Sequence, residues 1–346
     1  MRTVLLALLL SSGSWQLAPT AAAVRPMQGG RDTLGYRVED VRYRSDQLTL
    51  AADLLLPARS IRVPGAVIIQ GSGTSDRTNR WARDIAEALV HRGVAVLLTD
   101  KRGSGASEGD WRTANFNDLA SDALAGVQLL RKHPEIDPNR VGLVGLSQGG
   151  WVAPLAAART DEVAFVIDIS GATVTFAEQT FSEMANTARR AGLKEDQVQE
   201  VLDLNRTAAE YLTTGNWERY EGARARGLQS EWRQVAEGFP ESPDLPIWTF
   251  LRSVANYNPL PYWLQLTEPV LVLYGELDEQ DNVPVQESVR RLEFAFRSVG
   301  KRNYQIVVIP GVGHSLRDPR SRALAPAFLE AISRWGEQFV WLSSPP

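Results

Sequence analysis

The sequence predicts an α/β protein: a mostly parallel β-sheet with helices on both faces and a helical insertion. Two observations carry this. Short apolar runs of strand length alternate with longer stretches whose apolar residues recur at helical spacing, the rhythm that builds a parallel sheet. Between about Thr173 and Tyr262 that rhythm stops, and the chain turns rich in Ala, Glu, Gln, Arg and Trp with no buried-strand run. At 346 residues and 44% hydrophobic, the chain can bury a large core, as one large domain with an insertion or as two domains.

The elements follow in order. Tyr36 to Pro57 alternates polar and apolar residues in two runs split by Ser-Asp-Gln, the pattern of an antiparallel hairpin at a sheet edge. "GAVIIQG" (Gly65 to Gly71) and "VAVLLTD" (Val94 to Asp100) are continuous apolar runs, as in strands buried on both faces. A helix over Trp81 to His91 lies between them. "FNDLASDALAGVQLLRKH" is helical and ends at Pro134. Strand "RVGLVGL", helix "GGWVAPLAAAR" and strand "VAFVIDIS" come next. After the insertion, "PVLVLYGE" and "YQIVVIPG" are two further strands, and the stretch from Arg322 to Leu342 closes the chain as a helix. The reading divides the chain into residues 1–23, a first core part 24–172, an insertion 173–262 and a second core part 263–346.

Residues 1–23 have the pattern of an export signal: Arg2, an apolar run too short to span a bilayer, then small residues fit for cleavage near Ala23. The alternative is an uncleaved N-terminal anchor. Export predicts a periplasmic or extracellular protein. Cleavage would remove Arg2 alone among the charged residues, taking the formal charge from −4 to −5. No later segment is apolar and long enough for stable membrane insertion. Lys and Arg are scattered, so nothing points to a nucleic-acid partner. The chain has no cysteine, which excludes disulfides, thiolate catalysis, Cys-based zinc sites and a lipoprotein anchor. No metal or organic cofactor is implied.

The chemistry centres on "VGLVGLSQGG" (Val141 to Gly150). A strand that turns sharply into a helix strains its corner residue, and a side chain two residues before or after the corner would collide. Gly145 and Gly149 flank Ser147 at those places, giving G-x-S-x-G. The strain lifts the Ser147 hydroxyl clear of the sheet. The N-terminus of the following helix favours negative charge nearby. The backbone N–H of Gln148 is one expected oxyanion donor. Pro154, inside that helix, predicts a local kink.

A serine needs a base. Of three histidines, His91 and His133 sit at helix ends, as caps do. His314, in "PGVGHSLRD", follows the last strand, at the sheet end where ligands bind. The acid that orients it should lie beyond another strand end. Asp278 in "LVLYGELDEQDNVPV" is the first choice, with Asp281 and then Asp168 as alternatives, and the resulting chain order is Ser, Asp, His. The loop "GSGTSDR" after the Gly65 strand should supply a second oxyanion donor, the Ser72 N–H. As a phosphate cradle that loop lacks the G-K-[ST] ending, and as a dinucleotide fingerprint it lacks the third glycine. "DKRGSGASEG" (Asp100 to Gly109) reads as a tight glycine turn in which Asp100 and Arg102 satisfy the backbone or each other.

These pieces together resemble the α/β-hydrolase superfamily, in particular bacterial esterases and serine-aminopeptidase-like members with a helical cap. The matching stretches, "QGSGTSDR", "LLTDKRGSGAS", "VGLVGLSQGGWVAPLAA", "LVLYGELD" and "PGVGHS", span about Ala66 to Ser315. The resemblance implies a Ser147–His314–Asp278 triad with Ser72 and Gln148 as oxyanion donors. Two features depart from it. Gln70-Gly71 stands where many relatives have His-Gly, and four residues separate Asp278 from "VPV", which keeps Asp281 in play. The expected activity is hydrolysis of a small-molecule ester or acyl substrate. The rivals are a peptidase using the same residues, with Glu178 or Arg189 holding a chain terminus, and a binding protein on an inactive scaffold. Trp217, Trp232 and Trp248 are candidates for an apolar acyl site, with core packing as their other role.

Overall fold

A computed structural model of the chain describes residues 35–58 and 62–341. The export signal read from residues 1–23 lies outside them. The described chain opens with β1 (Tyr36–Ser45) and β2 (Leu48–Pro57), continues with β3 (Val63–Ile69), α1 (Arg80–Val90), β4 (Ala95–Thr99), α2 (Phe116–Arg131) and β5 (Ile136–Leu146), and then α3 (Gly149–Ala157) and β6 (Val166–Ile169). Six helices follow: α4 (Phe176–Arg190), α5 (Glu195–Thr214), α6 (Trp217–Gly227), α7 (Arg233–Glu237), α8 (Ile247–Val254) and α9 (Leu260–Trp263). The chain then returns to the sheet with β7 (Val270–Gly275), α10 (Val285–Ser298), β8 (Tyr304–Ile309) and α11 (Pro326–Phe339).

The eight strands form one sheet in the order β1-β2-β4-β3-β5-β6-β7-β8. β2 runs antiparallel to β1 and β4, and β3 to β8 are mutually parallel. The hairpin is at the edge, where its alternating exposure places it. Period-2 geometry sends alternate residues of each inner strand to opposite faces. Val67 and Ile69 join one core, under α2, α3, α10 and the inserted helices. Ala66 and Ile68 join the other, under α1 and α11. Burial on both faces is why these strands read as unbroken apolar runs.

β3 feeds β4 on one side, while β5 lies on its other side, so the chain changes direction between β3 and β5. Ligands of such sheets sit beyond the carboxyl ends of the strands at that crevice. Ser147 follows β5 and the Gly71 loop follows β3. Helix α3 runs on through Pro154, which has no N–H to donate to the preceding turn. Among the described residues no helix is long and apolar enough to cross a membrane.

Candidate active site

Ser147 occupies a strained corner. Its φ is +52°, in the left-handed region that non-glycine residues rarely adopt. Ser147 N–H donates to the Ile169 carbonyl (2.9 Å), which fixes the corner to the end of β6. The flanking glycines are required, but for different reasons. A Cβ on Gly145 would lie 2.4 Å from the Gly149 carbonyl oxygen, whereas a Cβ on Gly149 would lie 2.2 Å from the carbonyl oxygen of Ile69, at the end of β3. The second glycine therefore admits the neighbouring strand rather than sparing the first.

The structure brings Ser147, His314 and Asp278 into one hydrogen-bonded chain. His314 Nε2 is 2.9 Å from Ser147 Oγ, and His314 Nδ1 is 2.8 Å from Asp278 Oδ2. A neutral ring carrying its proton on Nδ1 donates to the carboxylate and leaves Nε2 to accept from the hydroxyl. Each partner is held by its own surroundings. Ser170 Oγ donates to the His314 carbonyl (2.8 Å). Asp278 is fully buried, and its Oδ1 accepts from Asn282 N–H (3.2 Å). The loops carrying Asp278 and His314 touch directly, since Leu277 N–H donates to the Val312 carbonyl (2.9 Å). Burial disfavours charge on the imidazole, but the Asp278 carboxylate outweighs it by its field and hydrogen bond, with Asp281 adding, so His314 titrates above its ordinary 6.5.

The other two carboxylates are elsewhere. Asp281 is half-exposed and pairs with Arg190 (2.8 Å). Asp168 is fully buried, with Oδ1 accepting from Gly171 N–H (3.0 Å), and burial pushes its carboxyl well above the usual range. Neither bonds to His314. His91 caps α1 and meets Tyr36 edge-on. His133 lies past α2, 3.7 Å from Glu39. Asp100 and Arg102 do not bond to each other but satisfy the backbone, the other arm of the sequence reading: Asp100 accepts from Arg77 N–H (2.8 Å) and Ala106 N–H (2.9 Å), and Arg102 donates to the Asp118 carbonyl (3.0 Å). Asp100 takes Arg77 through both oxygens (3.0 Å each), and Arg102 pairs with Asp122 (2.7 Å), because the turn aims the two side chains at different elements.

The Gly71 loop lies against the corner, where a Cβ on Gly71 would be 3.5 Å from Ser147 Cβ. Neither Gln148 N–H nor Ser72 N–H donates to any partner among the described residues. Gln70 braces the loop from behind, donating to the carbonyls of Thr99 (2.9 Å) and Asp76 (3.2 Å) and accepting from Ser75 Oγ (2.9 Å).

Two residues near the site carry no local motif. Lys101 is buried, and its Nζ donates to the Gly71 carbonyl (2.8 Å) and to Gln148 Oε1 (2.7 Å). One ammonium thus ties together the two segments that present the free N–H groups, and burial pushes it down to about 7. The Trp81 ring packs 5.5 Å from the His314 ring. The only hint in the sequence is position: Lys101 follows a strand end and Trp81 opens a helix.

A small pocket adjoins the hydroxyl, walled by Ser147, Gln148, Trp151, Ser170, Ala172, Gln179 and Val283. Trp217, Trp232 and Trp248 are not among its walls. Trp217 and Trp248 instead join Tyr211 and Tyr220 in an aromatic cluster within the insertion, with Tyr211 and Trp248 ring centroids 4.8 Å apart. Trp232 is buried and donates to Glu200 (2.7 Å). Among the described residues no group of three or more His, Asp or Glu side chains is arranged to hold a metal ion.

Residues 63–327 match the model of the alpha/beta hydrolase family. The quorum-quenching protein AidA of Acinetobacter baumannii is 31% identical over 155 residues, 44% of this chain and 50% of that protein. The chain spans half or less of the length of the curated relatives it matches first. Among solved structures, the Pyrococcus furiosus esterase Pf2001 superposes with a TM-score of 0.58 at 17% identity, over 90% of this chain and 96% of that one. The ferulic-acid complex of Est1E from Butyrivibrio proteoclasticus gives 0.56 at 22% identity, over 87% and 99%.

Proposed function

The chain belongs to the alpha/beta hydrolase family, and on that premise we propose that it is a serine hydrolase cleaving carboxylic esters through an acyl-enzyme. The single observation that carries this is the chain of contacts from a strained, raised Ser147 hydroxyl through His314 to a buried Asp278. Ser147 Oγ attacks the substrate carbonyl while His314 Nε2 takes its proton. The Gln148 and Ser72 N–H groups receive the oxyanion. The tetrahedral intermediate collapses, His314 passes its proton to the departing alcohol, and the acyl group stays on Ser147. Water, deprotonated by His314, then releases the acid and restores the hydroxyl.

Ester cleavage is preferred to peptide cleavage on one observation. Glu178 and Arg189, the terminus holders a peptidase would use, are already committed: Glu178 to Arg291 (2.8 Å) and Arg189 to Glu195 (2.7 Å). A fluorophosphonate probe should label the wild type and not Ser147→Ala. Short p-nitrophenyl esters should turn over faster than aminoacyl anilides. An unlabelled wild type would leave only a binding protein, and faster anilide turnover would make the enzyme a peptidase. The proposal includes export of the mature chain, checked by N-terminal sequencing of protein recovered outside the cytoplasm. An intact Met1 would contradict cleavage near Ala23.

A further inference from the structure

Three residues that wall the pocket beside Ser147 carry buried polar atoms without partners. Gln148 Nε2, Trp151 Nε1 and Gln179 Oε1 are buried and have no hydrogen-bond partner among the described residues. All three residues wall that pocket, and they are only 2%, 2% and 4% exposed. A buried polar atom without a partner costs about 1–3 kcal/mol, so three around one small cavity ask for an explanation.

Each atom is held in its orientation by what its own side chain does elsewhere. Gln148 Oε1 accepts from Lys101 Nζ (2.7 Å), which turns the amide nitrogen away from the lysine. Gln179 Nε2 donates to the Asn282 carbonyl (2.9 Å) and to Glu183 Oε2 (3.3 Å), which leaves Oε1 on the opposite side. The Trp151 ring is held between Phe116 and Phe176, at 5.8 and 5.3 Å between centroids. Ser170 Oγ, the remaining polar wall besides the nucleophile, is already donating to the His314 carbonyl.

The set is therefore two donors and one acceptor. A hydroxyl offers the complement, one O–H to give and two lone pairs to receive. A carboxylate would set acceptor against acceptor at Gln179, an ammonium would face two donors, and a methyl group would leave all three atoms unpaired. The leaving alcohol must lie within reach of His314 Nε2 to be protonated, and His314 is not among the pocket walls. The pocket is accordingly read as lying on the acyl side. Its enclosed space holds about one water-sized group, so it can take a single hydroxyl but not the chain that carries it.

We infer that this pocket receives a hydroxyl borne on C2 or C3 of the acyl group, making the preferred substrates 2- or 3-hydroxyacyl esters. The inference rests on the ester-hydrolase reading and narrows it.

The test is pairwise kinetics on the full chain by pH-stat, with esters differing by one hydroxyl. The pairs are ethyl propionate against each enantiomer of ethyl lactate, and ethyl butyrate against each enantiomer of ethyl 3-hydroxybutyrate. Each kcat/KM ratio is divided by the corresponding hydroxide-catalysed ratio, to remove intrinsic reactivity. At least one hydroxy ester should exceed its plain partner by roughly tenfold or more, since sites built around a substrate hydroxyl can reject the deoxy analogue by up to about 10⁴–10⁵. Gln179→Leu and Trp151→Phe should each pull that ratio towards one. Trp151→Phe keeps an aromatic ring in place and carries the test should Gln179→Leu fail to fold. Ratios at or below one throughout would mean that the pocket holds nothing but water, overturning the inference. So would a ratio that neither variant moves, or a preference seen only when the hydroxyl is on the alcohol part. If neither member of any pair is hydrolysed and fluorophosphonate leaves Ser147 unlabelled, the ester-hydrolase reading itself has failed. A labelled Ser147 without hydroxyl preference sinks this inference alone.

Discussion

Asp278 and Asp281 are three residues apart, yet only Asp278 is buried against the imidazole, while Asp281 faces Arg190 near solvent. Asp278→Asn should cut kcat by roughly 10³–10⁴, because the amide holds the wrong tautomer. Asp281→Asn should cost less than about tenfold, since it removes only a distant field. Comparing the two variants under saturating ester checks this. The Asp278 carboxylate holds His314 above its ordinary 6.5, and the base must be neutral to act. The kcat/KM profile should therefore have an acid limb above pH 6.5, and activity should rise with pH through that limb. The same group adds stability below about pH 6.5 that is lost as pH rises through its folded value, so activity appears as this contribution fades. Lys101→Met keeps an apolar stem but loses both donors, freeing the Gly71 peptide that carries the Ser72 N–H. We expect kcat to fall roughly 10–100-fold, less than the roughly 100–1,000-fold cost of deleting an oxyanion donor, with KM changing little. The serine and the histidine were legible because a glycine-fenced corner and elimination among three histidines leave local traces. Lys101 and Trp81 were not, since their contacts to Gly71, Gln148 and His314 are made across the sheet end.

At the scale of elements, α4 is joined to the loop carrying Asp278 along one face. Gln179 reaches the Asn282 carbonyl (2.9 Å), Asn186 the Glu279 carbonyl (3.1 Å) and Arg190 the Gln280 carbonyl (2.9 Å). Glu183 is buried in the same seam, and with the Asn282 amide oriented to donate, both Glu183 oxygens accept from it (3.0 and 2.8 Å). Burial, then the charges of Asp281 and Asp278, push the Glu183 carboxyl well above its ordinary range, with Arg190 opposing. A carboxyl whose folded value is raised contributes stability below its unfolded value, which is lost as pH rises through the folded one. Glu183→Gln should therefore gain on the wild type in unfolding free energy as pH increases, measured by urea titration at several pH values. A constant difference across pH would show that Glu183 does not change protonation on folding. The strands were readable because burial on both faces writes continuous apolar runs. The seam was not, because Gln179, Glu183 and Asn186 read as ordinary polar residues of an amphipathic helix. The divergent pairing of Asp100 and Arg102 was missed for the same reason: their partners, Arg77 and Asp122, are contributed by separate segments.

For the whole molecule, the parallel sheet collects residues from four distant segments at one end. The Gly71 loop, Ser147, Asp278 and His314 follow β3, β5, β7 and β8. The helices between β6 and β7 add Gln179 to the wall beside the nucleophile, while their tryptophans pack among themselves. The order of elements along the chain announced the parallel sheet. Which inserted side chains meet the site depends on how six helices pack, and helical spacing alone carries no record of that. The central claim is that the Ser147 oxygen becomes acylated during turnover. Acid-quenching the enzyme within its first turnovers of a short p-nitrophenyl ester, then measuring peptide masses, tests it most directly. The account predicts one acyl mass on the peptide containing Ser147, absent in Ser147→Ala. Steady turnover with no such adduct, or with the acyl group on another residue, would contradict it.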